Sequence, residues 1–402
     1  MSIQPKRIGI DARFYGPLGK GLGRYTQEIV DRIVAADQTN EYVIFLGSEN
    51  FNELKTSNPR VKKVLVTVRW YTLAEQFLMP YYIWKEKLDL VHLPHFNAPI
   101  FCPIKFIVTI HDLILTKFPT VRATTLGPIK YKLKNLLYKI VIWNAVHRSK
   151  KIITVSEFTK HDIVNYFKAD PKKIIVTYEG VADFGDANAS HHDDVETLQC
   201  NVSTKYKIQK PYLLYVGSAY PHKNLEGLIK IWKEILVSRD DTVLSTETMP
   251  GQSVQLVLVG KEDYFYHRVK NYARELGLLS DNENSPIIFA GYVPDKELKN
   301  LYENAEAYIF PSKYEGFGLP PLEAMAHGCP VITSDQASMP EILGEAALYF
   351  NPTDEIDMIK KINLILSDEK LRADLKQRGL EQVKKYSWQE CARETLAVYE
   401  ID

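Results

Sequence analysis

Short runs rich in β-branched and aromatic residues alternate with longer amphipathic stretches along this chain, and the alternation is run through twice. In the first half, Arg7 to Asp11, Tyr42 to Leu46, Val64 to Val68, Leu90 to Leu93, Lys105 to Ile110 and Lys151 to Val155 read as strands. In the second half, Tyr212 to Val216, Val254 to Val259, Ile287 to Ala290, Ala307 to Phe310, Val331 to Thr333 and Ala347 to Phe350 do the same. Strands separated by helix-length segments cannot pair as hairpins; they pair in parallel, with helices covering the sheet. The expected fold is therefore α/β, with two doubly wound parallel-sheet domains in tandem. Between Ala182 and Lys210 the composition turns polar and loses its apolar period, with GDANASHHDDVE at its centre. This divides the chain into a domain over 1–182, a linker over 183–210 and a domain over 211–387. Ligands of such sheets bind outside the carboxyl ends of the strands, and two facing domains put that edge on both sides of one cleft.

Composition narrows the possible partners. The 402 residues carry 50 basic and 50 acidic side chains, a formal net charge of zero, which argues against nucleic acid as an obligate partner. No apolar run reaches the roughly 18 residues of a membrane helix, and MSIQPKRIGI lacks a signal peptide's apolar core, so a cytoplasmic location is expected. Cys102, Cys200, Cys329 and Cys391 form no CxxC pair and read as free thiols. There is no Asp-x-Asp, and neither His92 with His95 nor His191 to Asp194 has a metal-ligand spacing, so no metal is expected.

The stretch from Phe310 to Cys329, FPSKYEGFGLPPLEAMAHGC, carries the clearest chemistry. The strand Ala307 to Phe310 ends at Pro311, Gly316 and Gly318 permit close backbone approach, and Pro320 and Pro321 read as a helix start. Backbone donors at such a helix start favour a diphosphate. Glu315 in the loop and Glu323 in the first helical turn supply carboxylates that accept from sugar or ribose hydroxyls. Each glutamate taken alone also fits a solvated loop residue or a complement to the helix dipole.

With the rest of the chain in view, EGFGLPPLEAMA resembles the retaining glycosyltransferases of the GT-B fold, family 4, the "group 1" transferases. IGIDAR with GLGRYT, VTIHDL, YVGSAYPHKN, FAGYV and MPEILGEAALYFNP occur in that family's order, so the resemblance spans roughly the whole chain. It implies two Rossmann-like domains and a metal-independent transfer of a hexose, mannose favoured. The donor would be a nucleotide-diphosphate sugar, GDP-mannose favoured, and the acceptor a hydroxyl of a glycan or lipid-linked glycan in cell-surface polysaccharide synthesis. It implies no cofactor. The segment 388–402 is expected to return to the first domain, with Trp388, Cys391, Ala392, Thr395, Leu396 and Tyr399 on its packed face.

The resemblance also distributes roles. Glu315 would position the donor sugar and stabilise positive charge at its anomeric carbon, His111 would bind a sugar hydroxyl, and Lys223 would neutralise the departing diphosphate. Gly21, Gly217, Ser218, Tyr292 and the turn Gly316-Phe317-Gly318-Leu319 would contact the donor, with Glu323 on the ribose. Ser218 stands where many family members have an arginine, and His222 is the nearest second cation. Gly21 and Gly23 are expected in a loop ahead of a helix starting near Arg24. Arg24, Asp112 and Ser156 are acceptor-side residues, and Ser156 equally suits a helix N-cap. The same scaffold also hosts phosphorylases, epimerases and non-catalytic sugar-nucleotide-binding subunits. Ile129 to Lys151 interleaves Lys130, Lys132, Lys134 and Lys139 with apolar residues, which suits either peripheral contact with anionic membrane or a helix packed on its sheet.

Overall fold

The computed structural model describes residues 4–119, 127–181, 205–240, 254–279 and 285–401. Among these, residues 4–119, 127–180 and 386–401 form one compact unit and residues 181 and 205–385 a second. Residues 182–204, where most of the expected linker falls, lie outside the described residues, as does Cys200.

The first unit holds a parallel sheet of β1 (Arg7–Asp11), β2 (Glu41–Leu46), β3 (Val61–Leu65), β4 (Leu90–Leu93), β5 (Phe106–Ile110), β6 (Lys151–Thr154) and β7 (Ile174–Val176). Its order is β3-β2-β1-β4-β5-β6-β7. The second holds β8 (Tyr212–Val216), β9 (Gln255–Val259), β10 (Ile287–Gly291), β11 (Ala307–Phe310), β12 (Val331–Ser334) and β13 (Ala347–Phe350), ordered β10-β9-β8-β11-β12-β13. Both sheets step outward from their first strand, then return to its other side. That reversal opens a crevice between β1 and β4, and another between β8 and β11, at the strands' carboxyl ends.

The sequence places most strands to within a residue. β3 is the exception: it pairs Val61 with Tyr42 and Leu65 with Leu46, three residues earlier than the alternation in VKKVLVTV indicates. As an edge strand it has only β2 to set its register, and half-exposed lysines enter it at little cost. β7, only three residues long, is not evident in the sequence.

Helices α1 (Lys20–Ala36), α2 (Leu73–Lys85), α3 (Pro128–Arg148) and α4 (Glu157–Phe167) belong to the first sheet. Right-handed crossovers put α1, which steps from β1 to β2, on one face and α2, α3 and α4, which step the opposite way, on the other. In the second unit α5 (Leu319–Ala326) links β11 to β12. The last helix, α6 (Trp388–Glu400), lies in the first unit against α1. Its buried face is Trp388, Cys391, Ala392, Thr395, Val398 and Tyr399; Val398 takes the place expected for Leu396, which is half-buried. His92 of β4 fastens this helix, with Nδ1 2.7 Å from the Tyr399 hydroxyl and Nε2 2.8 Å from Thr109 Oγ1. Burial drives the His92 pKa down to about 3, so it bridges as a neutral ring. Gly180 is required where the chain leaves this unit, because a Cβ there would sit 2.1 Å from the Trp388 nitrogen.

Candidate active site

At the β8/β11 crevice, Lys223 stands on the 3-10 turn Pro221–Lys223 beyond β8, and Glu315 on the loop beyond β11. Lys223 Nζ donates to Glu315 Oε1 at 2.5 Å, and Ser312 Oγ donates to the same oxygen at 2.5 Å. Lys223 also lies over the Phe310 ring at 5.0 Å. The pair is nearly withdrawn from water, with Glu315 8% exposed, so each charge depends on the other. The loops are tied together: Lys313 N donates to the His222 carbonyl, and Ser338 Oγ to the carbonyls of Glu315 and Phe317. An ammonium has three N–H donors, so the contact with Glu315 leaves capacity for an anionic ligand.

Gly318 has a φ of +98°, which favours glycine, and a Cβ there would lie 2.3 Å from Met339 Cε, so the end of that side chain would have to shift. Helix α5 starts at Leu319, one residue ahead of the expected Pro320. Pro320 and Pro321 then contribute no N–H, which confines the backbone donors of this helix start to the turn ending at Leu319. Phe317 is buried under the turn, while Glu323 is half-buried one turn into α5. Gly217 closes β8, its carbonyl accepting from Tyr266 Oη at 2.8 Å, and the Ser218 carbonyl accepts from Tyr215 Oη at 2.7 Å. Tyr292 follows β10 and is 73% exposed, available through backbone or ring. His222 does not serve as a second cation: burial, then the charge of Lys223, push its pKa down to about 4.

In the first unit His111 follows β5 directly. Its Nδ1 lies 3.1 Å from Glu179 Oε1 and its Nε2 3.0 Å from the Pro94 carbonyl, and Tyr25 meets the ring edge-on at 4.5 Å. Burial alone would lower its pKa, but the hydrogen bond and charge of Glu179, with the Pro94 carbonyl, outweigh that and raise it. Both ring nitrogens face acceptors, an arrangement that favours the protonated ring. Bonding a sugar hydroxyl requires one of them to let go. Glu179 was not singled out in the sequence, because YEGV carries no motif and lies 68 residues from His111.

The glycines near the start are not in a loop. Lys20 opens α1, so Gly21, Gly23 and Arg24 lie in its first turns. Gly23 allows the helix to touch the preceding segment, since a Cβ would meet the Gly16 carbonyl oxygen at 2.1 Å; at Gly21 nothing lies within 4 Å. Arg24 is half-buried. Asp112 Oδ1 accepts from Ile114 N at 2.8 Å and shapes the following turn. Ser156 is fully buried and caps α4, accepting from Thr159 N at 3.1 Å, so its hydroxyl serves the helix instead of an acceptor.

A cavity of about 530 Å³ opens beyond β1, β2 and β3, lined among others by Glu49, Arg69, Trp70 and Tyr71. Its floor is Arg13, buried between Asp11 (Nη2–Oδ2 2.7 Å) and Glu75 (Nη2–Oε1 2.5 Å). Asn97 and the backbone N–H of Tyr71 complete the shell of Glu75. Trp70 packs on Phe14 at 4.5 Å between ring centres. Arg13, Glu75 and this aromatic group were not identified as a unit from sequence.

Two parallel-sheet units of one core strand order, each with charged groups at the carboxyl edge of its sheet, define a tandem α/β scaffold with a ligand-binding crevice in each unit. The model for "Glycosyl transferases group 1" matches residues 202–382, and that for "Glycosyltransferase Family 4" residues 19–183. The chain belongs to this glycosyltransferase family. It is 28% identical over 401 residues to O-antigen chain mannosyltransferase B of Escherichia coli, covering 95% of this chain and 96% of that one. It is 31% identical over 279 residues to O-antigen chain mannosyltransferase RfbU of Salmonella typhimurium, covering 68% and 67%. Among solved structures, sucrose-phosphate synthase from Thermosynechococcus elongatus superposes with a TM-score of 0.71 at 18% identity, over 98% of each chain. WaaG, a glycosyltransferase involved in lipopolysaccharide biosynthesis, gives 0.71 at 16% identity over 97% of this chain and 99% of that one. These likenesses establish a GT-B-type fold. No helix among the described residues is long and apolar enough to cross a membrane.

Proposed function

We propose that this glycosyltransferase is a retaining, metal-independent mannosyltransferase of cell-surface polysaccharide synthesis. It takes mannose from GDP-mannose and transfers it to a hydroxyl of a glycan or lipid-linked glycan on the cytoplasmic side. The observation that carries the reading is the Lys223–Glu315 pair beside the Gly316–Leu319 turn, at the switch point of the second sheet. The likeness to two O-antigen chain mannosyltransferases favours mannose.

In this scheme the second unit binds the donor. The diphosphate lies against the N–H groups of the turn and the ammonium of Lys223, while Glu323 takes ribose hydroxyls. The bond between the anomeric carbon and the diphosphate oxygen breaks, and the electron pair leaves with the nucleotide, whose growing charge Lys223 offsets. The acceptor oxygen attacks from the same face, and its proton passes to the departing phosphate oxygen. Glu315 holds the sugar and stabilises positive charge at the anomeric carbon. The acceptor sugar sits in the first unit, where Trp70 and Tyr71 offer ring faces and Arg69 and Glu49 polar contacts. His111 offers a sugar hydroxyl one ring N–H once its contact with Glu179 or the Pro94 carbonyl releases.

Calorimetric titration with GDP, UDP and ADP in the presence of EDTA tests this directly. Selective micromolar binding of GDP supports the reading; selective binding of UDP or ADP removes GDP-mannose as the donor. Turnover that requires an added divalent cation ends the metal-independent scheme. An inverted anomeric configuration in the NMR spectrum of the product ends the retaining one. Binding without transfer to any glycan acceptor would point to a sugar-nucleotide-binding subunit.

A further inference from the structure

The α2–α3 face of the first unit carries apolar side chains that its own sheet does not cover. On α2, Leu73, Phe77, Tyr81 and Trp84 are 69%, 72%, 51% and 67% exposed. At 100° per residue these positions fall within one stripe about 80° wide. On α3, Ile129, Leu133, Leu136, Ile140 and Trp143 are 83%, 60%, 56%, 44% and 56% exposed, and they too form one stripe. From Ile129 to Val141 no residue of α3 is fully buried; only near its C-terminus, at Ile142 and from Asn144 to Val146, does it enter the core.

The two helices lie on the same side of the sheet, and the segment after β4 joins them. Ile100 N donates to Gln76 Oε1 of α2 at 2.9 Å, Phe96 meets Tyr138 of α3 at 5.1 Å, and Arg148 at the end of α3 donates to the Ile100 carbonyl. Phe101, between them, is 72% exposed. Of the 22 large apolar residues exposed among the described residues, 13 fall between Leu73 and Trp143, far more than the scattered singles normal for a protein surface.

Charge selects the occupant. α3 contains no carboxylate, and the one carboxylate of α2, Glu75, is fully buried against Arg13. Lys130, Lys132, Lys134 and Lys139 flank the α3 stripe, exposed. A second copy docked by a two-fold axis would set lysine against lysine with no acid between them. A surface that is both apolar and anionic satisfies both sets of side chains, the rings and aliphatic groups entering the acyl boundary while the lysines stay among the head groups.

We propose that the α2–α3 face is a membrane-docking surface for anionic phospholipid. It does not depend on the sugar-transfer reading, so the nucleotide titration and the experiment below succeed or fail separately.

The test is cosedimentation of the full chain with phosphatidylcholine vesicles containing about a third phosphatidylglycerol, against pure phosphatidylcholine, at low salt. The expected result is binding at least tenfold stronger to the anionic vesicles, weakened severalfold at high salt, with a blue shift in tryptophan emission. Leu133→Glu/Leu136→Glu on α3 and Phe77→Glu/Trp84→Glu on α2 each abolish binding. Lys130→Gln/Lys134→Gln/Lys139→Gln, which keeps the stripe, loses the preference for anionic lipid. Unchanged melting temperatures and donor titrations establish that the variants fold. Wild-type protein that stays in the supernatant at low salt overturns the proposal. So does a concentration-dependent dimer in the ultracentrifuge that the same substitutions dissolve, since the face would then be covered by a second copy.

Discussion

The second unit pairs Lys223 with Glu315, and the first pairs His111 with Glu179, each a cation and a carboxylate brought together from distant positions at the carboxyl edge of the sheet. The difference lies in what each pair leaves over. Lys223 retains N–H donors after Glu315 has taken one, and it stands beside a glycine turn that requires positive φ. Both ring nitrogens of His111 are engaged, one by Glu179 and one by the Pro94 carbonyl. One strand order thus yields a pair that can gain a ligand and a pair already satisfied. The first suits charge that develops and leaves; the second suits a fixed positive ring that shapes its neighbourhood.

The sharpest way to break that contrast is at Glu315. Glu315→Ala removes the carboxylate nearest the proposed anomeric carbon and is expected to lower kcat by about a thousandfold or more, with little change in donor affinity. Glu323→Ala is expected to act chiefly on donor Kd. Steady-state kinetics beside calorimetry separates the two, and near-wild-type turnover in the Glu315 variant counts heavily against the assignment. Lys223→Met comes next: it strands a nearly buried carboxylate and is expected to cost about 3 kcal/mol of stability, with a roughly hundredfold loss of turnover. If thermal melting and kcat both stay near wild type, the pair is not the centre of the site.

Glu179→Gln tests the satisfied pair. Because Glu179 raises the His111 pKa, the stabilisation is present below the pKa of a free histidine and disappears as pH rises through the raised value. The variant should therefore be less stable than wild type at acidic to neutral pH, with the gap closing on the alkaline side. NMR titration of the ring should give a lower pKa in the variant; an unchanged value means Glu179 does not hold the charge. Gly318→Ala is a smaller effect, about 1–3 kcal/mol, from the positive φ and the contact with Met339. The smallest is Ser218→Arg, which adds a second cation beside Lys223 and is expected to tighten nucleotide diphosphate binding severalfold; a weakening would mean that Lys223 alone suits this crevice.

Much of the second unit's site is legible in the sequence because it is local. Gly316, Gly318 and Glu323 are placed by one turn and one helix start, whose backbone requirements are written in residue types. The helices start at Leu319 and Lys20, earlier than residue types indicate, since Pro320 marks a first turn without fixing the first residue and Gly21 and Gly23 look like loop. Glycine enters α1 because Gly23 must pass the Gly16 carbonyl, a contact no spacing reveals. Ser156 had two readings, and its burial decided for the cap.

The sequence by itself determined the two-unit parallel architecture, the family and the glycine turn with its glutamates, because each rests on periodicity or on backbone limits imposed by neighbouring residues. Tertiary structure alone decided the ionic partners: Glu179 for His111, Asp11 with Glu75 for Arg13, and Ser312 joining Lys223 on one oxygen of Glu315. It alone decided which apolar helix faces were left uncovered. Helical spacing says that α2 and α3 have apolar stripes, but whether a stripe faces the sheet or the solvent depends on how each helix rolls as it packs. Side chains far apart along the chain become partners only when the crossovers bring their loops to the same edge.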